Sequence, residues 1–141
     1  MLFRSVKPNG EELAQLAGVD GVELEQRAAA GDLAPVVGAA RALRDKGVGA
    51  ALVTLGGAGA VLVDDDEAWF AQAPAVRVRS TVGAGDSSLA GYLLAEARGL
   101  GPEERLEWAV CHGSVAASLP GTGLPLGLDP ATLRATLRRL D

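Results

Sequence analysis

Apolar residues recur along this chain in two rhythms, and the exchange between them predicts an α/β protein. Leu2, Phe3 and Val6 form a short apolar run that predicts a strand. Pro8 biases Lys7 towards extended geometry. Asn9 then stands as an N-cap, with Glu12 three residues on as its capping-box partner, and the helix so begun runs to about Gly18. Val22 to Ala30 predicts a second helix. Leu33 to Lys46 predicts a third, with Val36, Val37, Ala40 and Leu43 at helical spacing and Gly47 and Gly49 ending it. Ala50-Ala51-Leu52-Val53-Thr54 is a continuous apolar run, the signature of a buried parallel strand. The glycine turn Leu55 to Ala60 leads into Val61, Leu62 and Val63, which predicts a hairpin. Trp69-Phe70 belongs to a returning strand, and Pro74 separates it from the alternating run Ala75 to Val78.

The second half is more helical. A helix is predicted from Asp86 to Arg98, stopped by Gly99 and Gly101. Pro102 suits the first position of the next helix, which continues through Leu106, Trp108, Ala109, Val110 and Val115. Pro120-Gly121-Thr122-Gly123 reads as a loop. Pro130 to Leu140 predicts a terminal helix with Leu133 and Leu137 facing inward.

Composition narrows the class. The 141 residues suit one domain with a real core, and the 48% hydrophobic content rests on Ala, Leu and Val. A net charge of −5 argues against a general nucleic-acid surface, so no nucleic-acid partner is expected. The single cysteine, Cys111, excludes an intrachain disulfide framework and fits a reducing compartment. No charged-then-apolar leader opens the chain and no apolar run approaches ~18 residues, so no membrane partner and a cytoplasmic location are expected.

Chemistry concentrates in Ser80-Thr81-Val82-Gly83-Ala84-Gly85-Asp86-Ser87-Ser88-Leu89-Ala90-Gly91. A glycine-rich turn that opens a helix presents backbone N–H groups without intrahelical partners, and the helix dipole adds positive charge at the same place. Phosphate binds such a turn. Asp86 would repel a resting phosphate, yet it can take a proton from a hydroxyl that attacks one. Other motifs have plainer readings. Asp64-Asp65-Asp66-Glu67 lacks ligand spacing and reads as a solvated hairpin tip. His112 and Cys111 have no second ligand at metal spacing and read as packing residues. No Gly-x-x-x-x-Gly-Lys-Ser/Thr is present. A dinucleotide fingerprint would need a third glycine where Ser88 stands, and Asp86 would oppose the pyrophosphate.

The twelve-residue run resembles the second signature of the PfkB (ribokinase-like) family of sugar kinases, in the form found in 1-phosphofructokinases and tagatose-6-phosphate kinases. The resemblance implies that Gly83, Ala84 and Gly85 form the anion hole with Asp86, and that Asp86 is the catalytic base. Lys7-Pro8-Asn9 through Glu12 resembles the family's Asn-x-x-Glu motif. It implies that Asn9 and Glu12 organise Mg²⁺, partly through water, and that Lys7 and Asn9 lie near the nucleotide. Thr54-Leu55-Gly56-Gly57-Ala58-Gly59 resembles the family's nucleotide loop, placing Thr54, Gly56 and Gly59 at ATP. Gly113-Ser114-Val115-Ala116-Ala117 resembles its adenine-side helix, which makes Ser114 a nucleotide contact. A monovalent cation such as K⁺ is implied near Pro120 to Gly123.

The implied fold is the C-terminal portion of a three-layer α/β/α kinase, a mostly parallel sheet with a β-hairpin. Residues 1–141 would be its ATP-binding part, without the N-terminal half and lid. The implied reaction is ATP-dependent phosphorylation of a sugar phosphate, fructose 1-phosphate to fructose 1,6-bisphosphate. The alternative is a truncated, inactive nucleotide-binding module. Implied partners beyond ATP and the sugar phosphate are a second copy of the chain or a complementing N-terminal fragment.

Overall fold

The computed structural model of the chain describes residues 3–64, 67–73, 84–118 and 135–140. Two compact units divide the chain, Met1–Phe70 with Arg139–Asp141 and Ala71–Arg138. Among the described residues five strands, β1 (Phe3–Val6), β2 (Val48–Thr54), β3 (Ala60–Asp64), β4 (Glu67–Gln72) and β5 (Thr136–Arg139), form one sheet in the order β1-β2-β3-β4-β5.

In the first unit the sheet is mixed. β1 pairs parallel to β2, Ser5 opposite Ala50 and Val6 opposite Ala51. β2 and β3 form the predicted antiparallel hairpin, from Ala50 opposite Asp64 to Thr54 opposite Ala60. Three helices, α1 (Gly10–Ala17), α2 (Gly21–Ala29) and α3 (Ala34–Asp45), connect β1 to β2. A helical crossover is what a parallel pair requires. Leu13, Leu24, Val36, Ala40 and Leu43 from the helices pack with Ala51, Val53, Val61 and Val63 from the strands as one buried cluster. Leu52 and Leu62, which point the other way along the same strands, are buried as well. Burial on both faces explains why β2 reads as an unbroken apolar run rather than an alternating one.

The helix ends follow their sequence signals. Asn9 and Glu12 form a reciprocal capping box at α1: Glu12 N–H donates to Asn9 Oδ1 at 2.7 Å and Asn9 N–H donates to Glu12 Oε1 at 3.0 Å. Gly18 closes the helix at φ 73°, a left-handed conformation that glycine adopts without a Cβ penalty. Asp20 caps α2 by accepting from the N–H groups of Val22 and Glu23 at 2.9 and 3.2 Å.

In the second unit, α4 (Ala84–Ala97) and α5 (Pro102–Ser118) pass each other in opposite directions, so that Gly91 meets Trp108 and His112 while Gly113 meets Ala84 and Ser88. Gly99, at φ 74°, turns the chain between them. Tyr92 and Ala95 of α4 and Leu106, Ala109 and Cys111 of α5 are buried.

Three expectations change. α4 begins at Ala84, two residues before the predicted Asp86, so Gly85 lies within its first turn. β2 begins at Val48, two residues before the predicted run. The helix predicted over Pro130 to Leu140 is not formed where the chain is described, because Thr136–Arg139 is β5. Leu140 N–H donates to the Ala68 carbonyl at 2.8 Å, and Arg139 lies over the Trp69 ring at 5.8 Å. A short helix is marginal by itself, and a sheet edge offers its backbone partners outright.

Candidate functional site

In the first unit a single backbone link brings two of the predicted segments together. Pro8 ends the reach of β1, and its carbonyl accepts from Thr54 N–H at 3.0 Å, so Asn9 and Thr54 form an isolated parallel bridge. The start of α1 thus lies beside the turn that follows β2. Lys7 and Thr54 are half-buried, and Asn9 and Glu12 are exposed.

Beyond Thr54 the chain makes a 3₁₀ turn over Gly56–Ala58. Leu55 N–H donates to the Gly59 carbonyl at 2.9 Å. Gly56 and Gly59 have φ 59° and 124°, values that a side chain at either position would resist. This is the hairpin expected from the glycines, and its backbone is bare enough for close approach by a ligand. The predicted group Lys7, Asn9, Glu12, Thr54, Gly56 and Gly59 therefore shares one end of the β1–β2–β3 sheet.

The capping box bears on Mg²⁺. Asn9 Oδ1 and Glu12 Oε1 already accept backbone N–H groups. Glu12 retains its second carboxylate oxygen at an exposed position. Mg²⁺ keeps several waters and takes only one or two protein carboxylates. One free carboxylate oxygen beside a bare turn fits an ion held mainly through water and phosphate. Among the described residues no group of three or more His, Cys, Asp and Glu could enclose a metal by itself.

In the second unit, Asp86 lies exposed in the first turn of α4, and Ala84 and Gly85 before it are half-buried. Gly83 lies outside the described residues, as does the Pro120 to Gly123 loop to which a monovalent cation was referred. Among the described residues the Asp86 carboxylate makes no hydrogen bond or ion pair. Ser87 and Ser88 next to it are buried, as is Ser114 on α5. The Asp86 group and the Asn9–Thr54 group belong to different units.

The plain readings of several other residues hold. His112 is buried, and its Nδ1 lies 2.7 Å from the Trp108 carbonyl. A carbonyl only accepts, so Nδ1 carries the proton. Cys111 is a buried thiol. A groove of about 390 Å³ runs along α2 and α3, lined by residues that include Val19, Asp20, Arg27 and Pro35. It contains none of the predicted site residues. Asp20 there caps α2, and Arg27 is paired with Asp32 at 2.6 Å.

What sequence reasoning did not find is the bridge between Asn9 and Thr54 and the contact of Gly113 with Ser88. The available signals were Pro8, which has no N–H yet carries the accepting carbonyl, and the small residues recurring on both helices.

The chain matches the family described as pfkB family carbohydrate kinase over residues 2–127. It is 34% identical over 136 residues to the 1-phosphofructokinase of Escherichia coli K12, covering 96% of this chain and 40% of that protein. Among solved structures it is similar to phosphofructokinase-2 from Escherichia coli in complex with substrates and products, with TM-score 0.70 and 32% identity. That match covers 87% of this chain and 37% of the other. The same enzyme in complex with potassium matches at TM-score 0.72 and 30% identity, over 87% and 37% of the two chains. The Arabidopsis thaliana ribokinase complexed with ribose and ATP matches at TM-score 0.70 and 28% identity, over 84% and 36%. The fold is therefore ribokinase-like α/β. The chain spans about 40% of the length of the curated relatives it matches. No helix among the described residues is long and apolar enough to cross a membrane.

Proposed function

Because this chain belongs to the pfkB family of carbohydrate kinases, we propose that residues 1–141 are the ATP-binding and phosphoryl-transferring part of a sugar kinase. The favoured reaction is transfer of the γ-phosphoryl group of ATP to fructose 1-phosphate, giving fructose 1,6-bisphosphate. The observation that carries this reading is Asp86, an exposed carboxylate in the first turn of a 14-residue helix that follows a glycine run. The name 1-phosphofructokinase borne by the relatives supports the acceptor.

In this reading the backbone of Gly83 to Asp86 receives the transferring phosphoryl group, where helix-start N–H groups stabilise charge on its oxygens. Asp86 accepts the proton of the attacking hydroxyl. Thr54, Gly56 and Gly59 let the nucleotide lie against bare backbone. Lys7 places positive charge beside the polyphosphate, and Ser114 contacts the nucleoside side. Asn9 and Glu12 would hold Mg²⁺, mainly through water. When bound, that ion neutralises charge on the β- and γ-phosphates. Positioning and electrostatics do most of the work in such a transfer, which suits a site with few reactive side chains. A monovalent cation such as K⁺ belongs to the proposal through the potassium complex of the similar enzyme.

A second reading is favoured by one observation: the chain spans only about 40% of its relatives. On that reading it binds nucleotide and turns over only with a complementing N-terminal fragment or a second copy. Mg-ATP calorimetry followed by a coupled assay with fructose 1-phosphate separates the two. Heat with turnover supports the kinase, and heat without turnover supports the module. No heat at millimolar Mg-ATP removes both.

A further inference from the structure

The α4–α5 seam carries a consequence for the start of α4. Two glycines interlock the helices from opposite sides. Gly91 of α4 admits α5 so closely that a Cβ there would stand 2.6 Å from the Trp108 carbonyl oxygen and 2.7 Å from His112 Nδ1. Gly113 of α5 admits the start of α4. A Cβ on Gly113 would collide with Ser88 Oγ and stand 3.4 Å from the Ala84 carbonyl oxygen. Ala84 opens α4, and Ser88 follows Asp86 by two residues.

This contact fixes the rotation of the helix start as well as its distance. Successive helical residues lie about 100° apart around the axis, so Ser88 and Asp86 are separated by about 200°. Burying Ser87 and Ser88 therefore turns Asp86 outward, and the observed exposures follow that pattern: Ser87 is 2% and Ser88 9% exposed, while Asp86 is exposed. Further along, the pair is clasped by Arg98 over the Trp108 ring at 5.0 Å and Arg105 over the Tyr92 ring at 5.7 Å. With that end held, extra volume at Gly113 is relieved at the other end, where Ala84, Gly85 and Asp86 lie.

We infer that Gly113 is a positioning residue for the phosphate-binding turn. It seats the first turn of α4 against α5 through the Ser88 contact, and so sets where Ala84 to Asp86 meet the γ-phosphate. The inference rests on the phosphoryl-transfer reading and deepens it. A methyl at position 113 meets the Ser88 hydroxyl first, and where that hydroxyl keeps its rotamer the seam opens by on the order of 1 Å to reach ordinary van der Waals contact. A displacement of that size at a reacting group can cost about a hundredfold in rate.

The test uses the 141-residue chain and compares Mg-ATP with Mg-ADP by calorimetry, because only ATP carries the γ-phosphate. Wild type is expected to bind Mg-ATP more tightly than Mg-ADP. Gly113→Ala should narrow that preference about tenfold, the loss of one good hydrogen bond to a charged group, with Mg-ADP affinity little changed. Ser88→Ala alone should keep the wild-type preference. Combined with Gly113→Ala it should restore it, since it removes the colliding oxygen. General loosening of the fold would weaken both nucleotides together and would not be reversed by deleting a hydroxyl.

A folded Gly113→Ala that keeps the wild-type preference overturns the inference and leaves the phosphoryl-transfer reading standing. A wild type without preference for Mg-ATP ends both, the fault then lying with that reading. Should Gly113→Ala fail to fold, Ser88→Thr presses the same seam from α4, its second branch restricting χ1. A preference unchanged in Ser88→Thr then overturns the inference, and a narrowed one supports it.

Discussion

The starts of α1 and α4 both carry polar residues next to glycine, and they use them oppositely. At α1 the side chains turn back on the helix: Asn9 and Glu12 satisfy each other's backbone N–H groups at 2.7 and 3.0 Å. At α4, Asp86 stands exposed in the first turn and its carboxylate makes no hydrogen bond among the described residues. A polar group committed to a cap stabilises structure and has fewer bonding directions left for a ligand. An uncommitted carboxylate remains available to a substrate proton. The comparison assigns the two starts different parts in the proposed reaction, organisation of metal and phosphate at α1 and proton removal at α4.

Substitution of Asp86 should break this comparison most visibly. Loss of a general base typically costs 10²- to 10⁴-fold in rate, so Asp86→Ala is expected to lower kcat with fructose 1-phosphate by about that much. As an acid in the first turn it also favours the helix dipole, a contribution of only about 0.3–1 kcal/mol. Denaturation midpoints measured beside kcat separate the two roles.

Gly91 comes next. Its hypothetical Cβ meets backbone at 2.6 Å, and a carbonyl cannot step aside as a side chain can. Gly91→Ala should destabilise the second unit by about 1–3 kcal/mol, the usual range for overpacking, read as a shift in the urea midpoint.

The caps of the first unit sharpen the account further. Asn9→Ala and Asp20→Ala each remove an N-cap, and each should cost about 1 kcal/mol of stability. Only Asn9→Ala should also weaken Mg-ATP binding, because Asn9 bridges to Thr54 whereas Asp20 caps α2 away from that turn. Equal effects on affinity would mean that Asn9 is a cap and nothing more.

The smallest effect concerns acid. Arg27 donates to Asp32 Oδ2 and Ala34 N–H to Oδ1, and together these bonds hold the Asp32 carboxyl below its ordinary value of 3.8. A carboxylate depressed in the folded state contributes stability above its unfolded pKa and loses it as pH falls through the native value. The midpoint difference between wild type and Asp32→Asn should therefore be present near neutral pH. It should shrink towards zero as pH falls through the native value. Both partners are largely solvated, so the difference should be slight.

Much of the fold was legible because its punctuation is local. Asn9 with Glu12, Gly18, Gly99 and Pro102 mark helix ends by chemistry that acts within a few residues, and each marks one in the structure. Ala50 to Thr54 was legible as a buried strand because burial on both faces leaves no polar alternation. The helix predicted over Pro130 to Leu140 failed at Thr136–Arg139 because leucine spacing states what a helix would bury and says nothing of a neighbouring edge. There the free backbone of β4 decided, with the Ala68 carbonyl taking Leu140 N–H. The α4–α5 seam was invisible for a different reason. Its small residues show no contrast between faces, and whether Gly113 is crowded depends on Ser88, 25 positions earlier. The site divides in the same way: its motifs are local runs, while the bridge from Pro8 to Thr54 spans the whole helical crossover.

The central claim is tested most directly by Asp86→Asn, which keeps the shape and hydrogen-bonding reach of the side chain and removes its basicity. The account predicts that this variant binds Mg-ATP at least as tightly as wild type, since a repelling charge is gone. It also predicts phosphorylation of fructose 1-phosphate at about a hundredth of the wild-type rate or less. A variant that turns over at the wild-type rate would contradict the account.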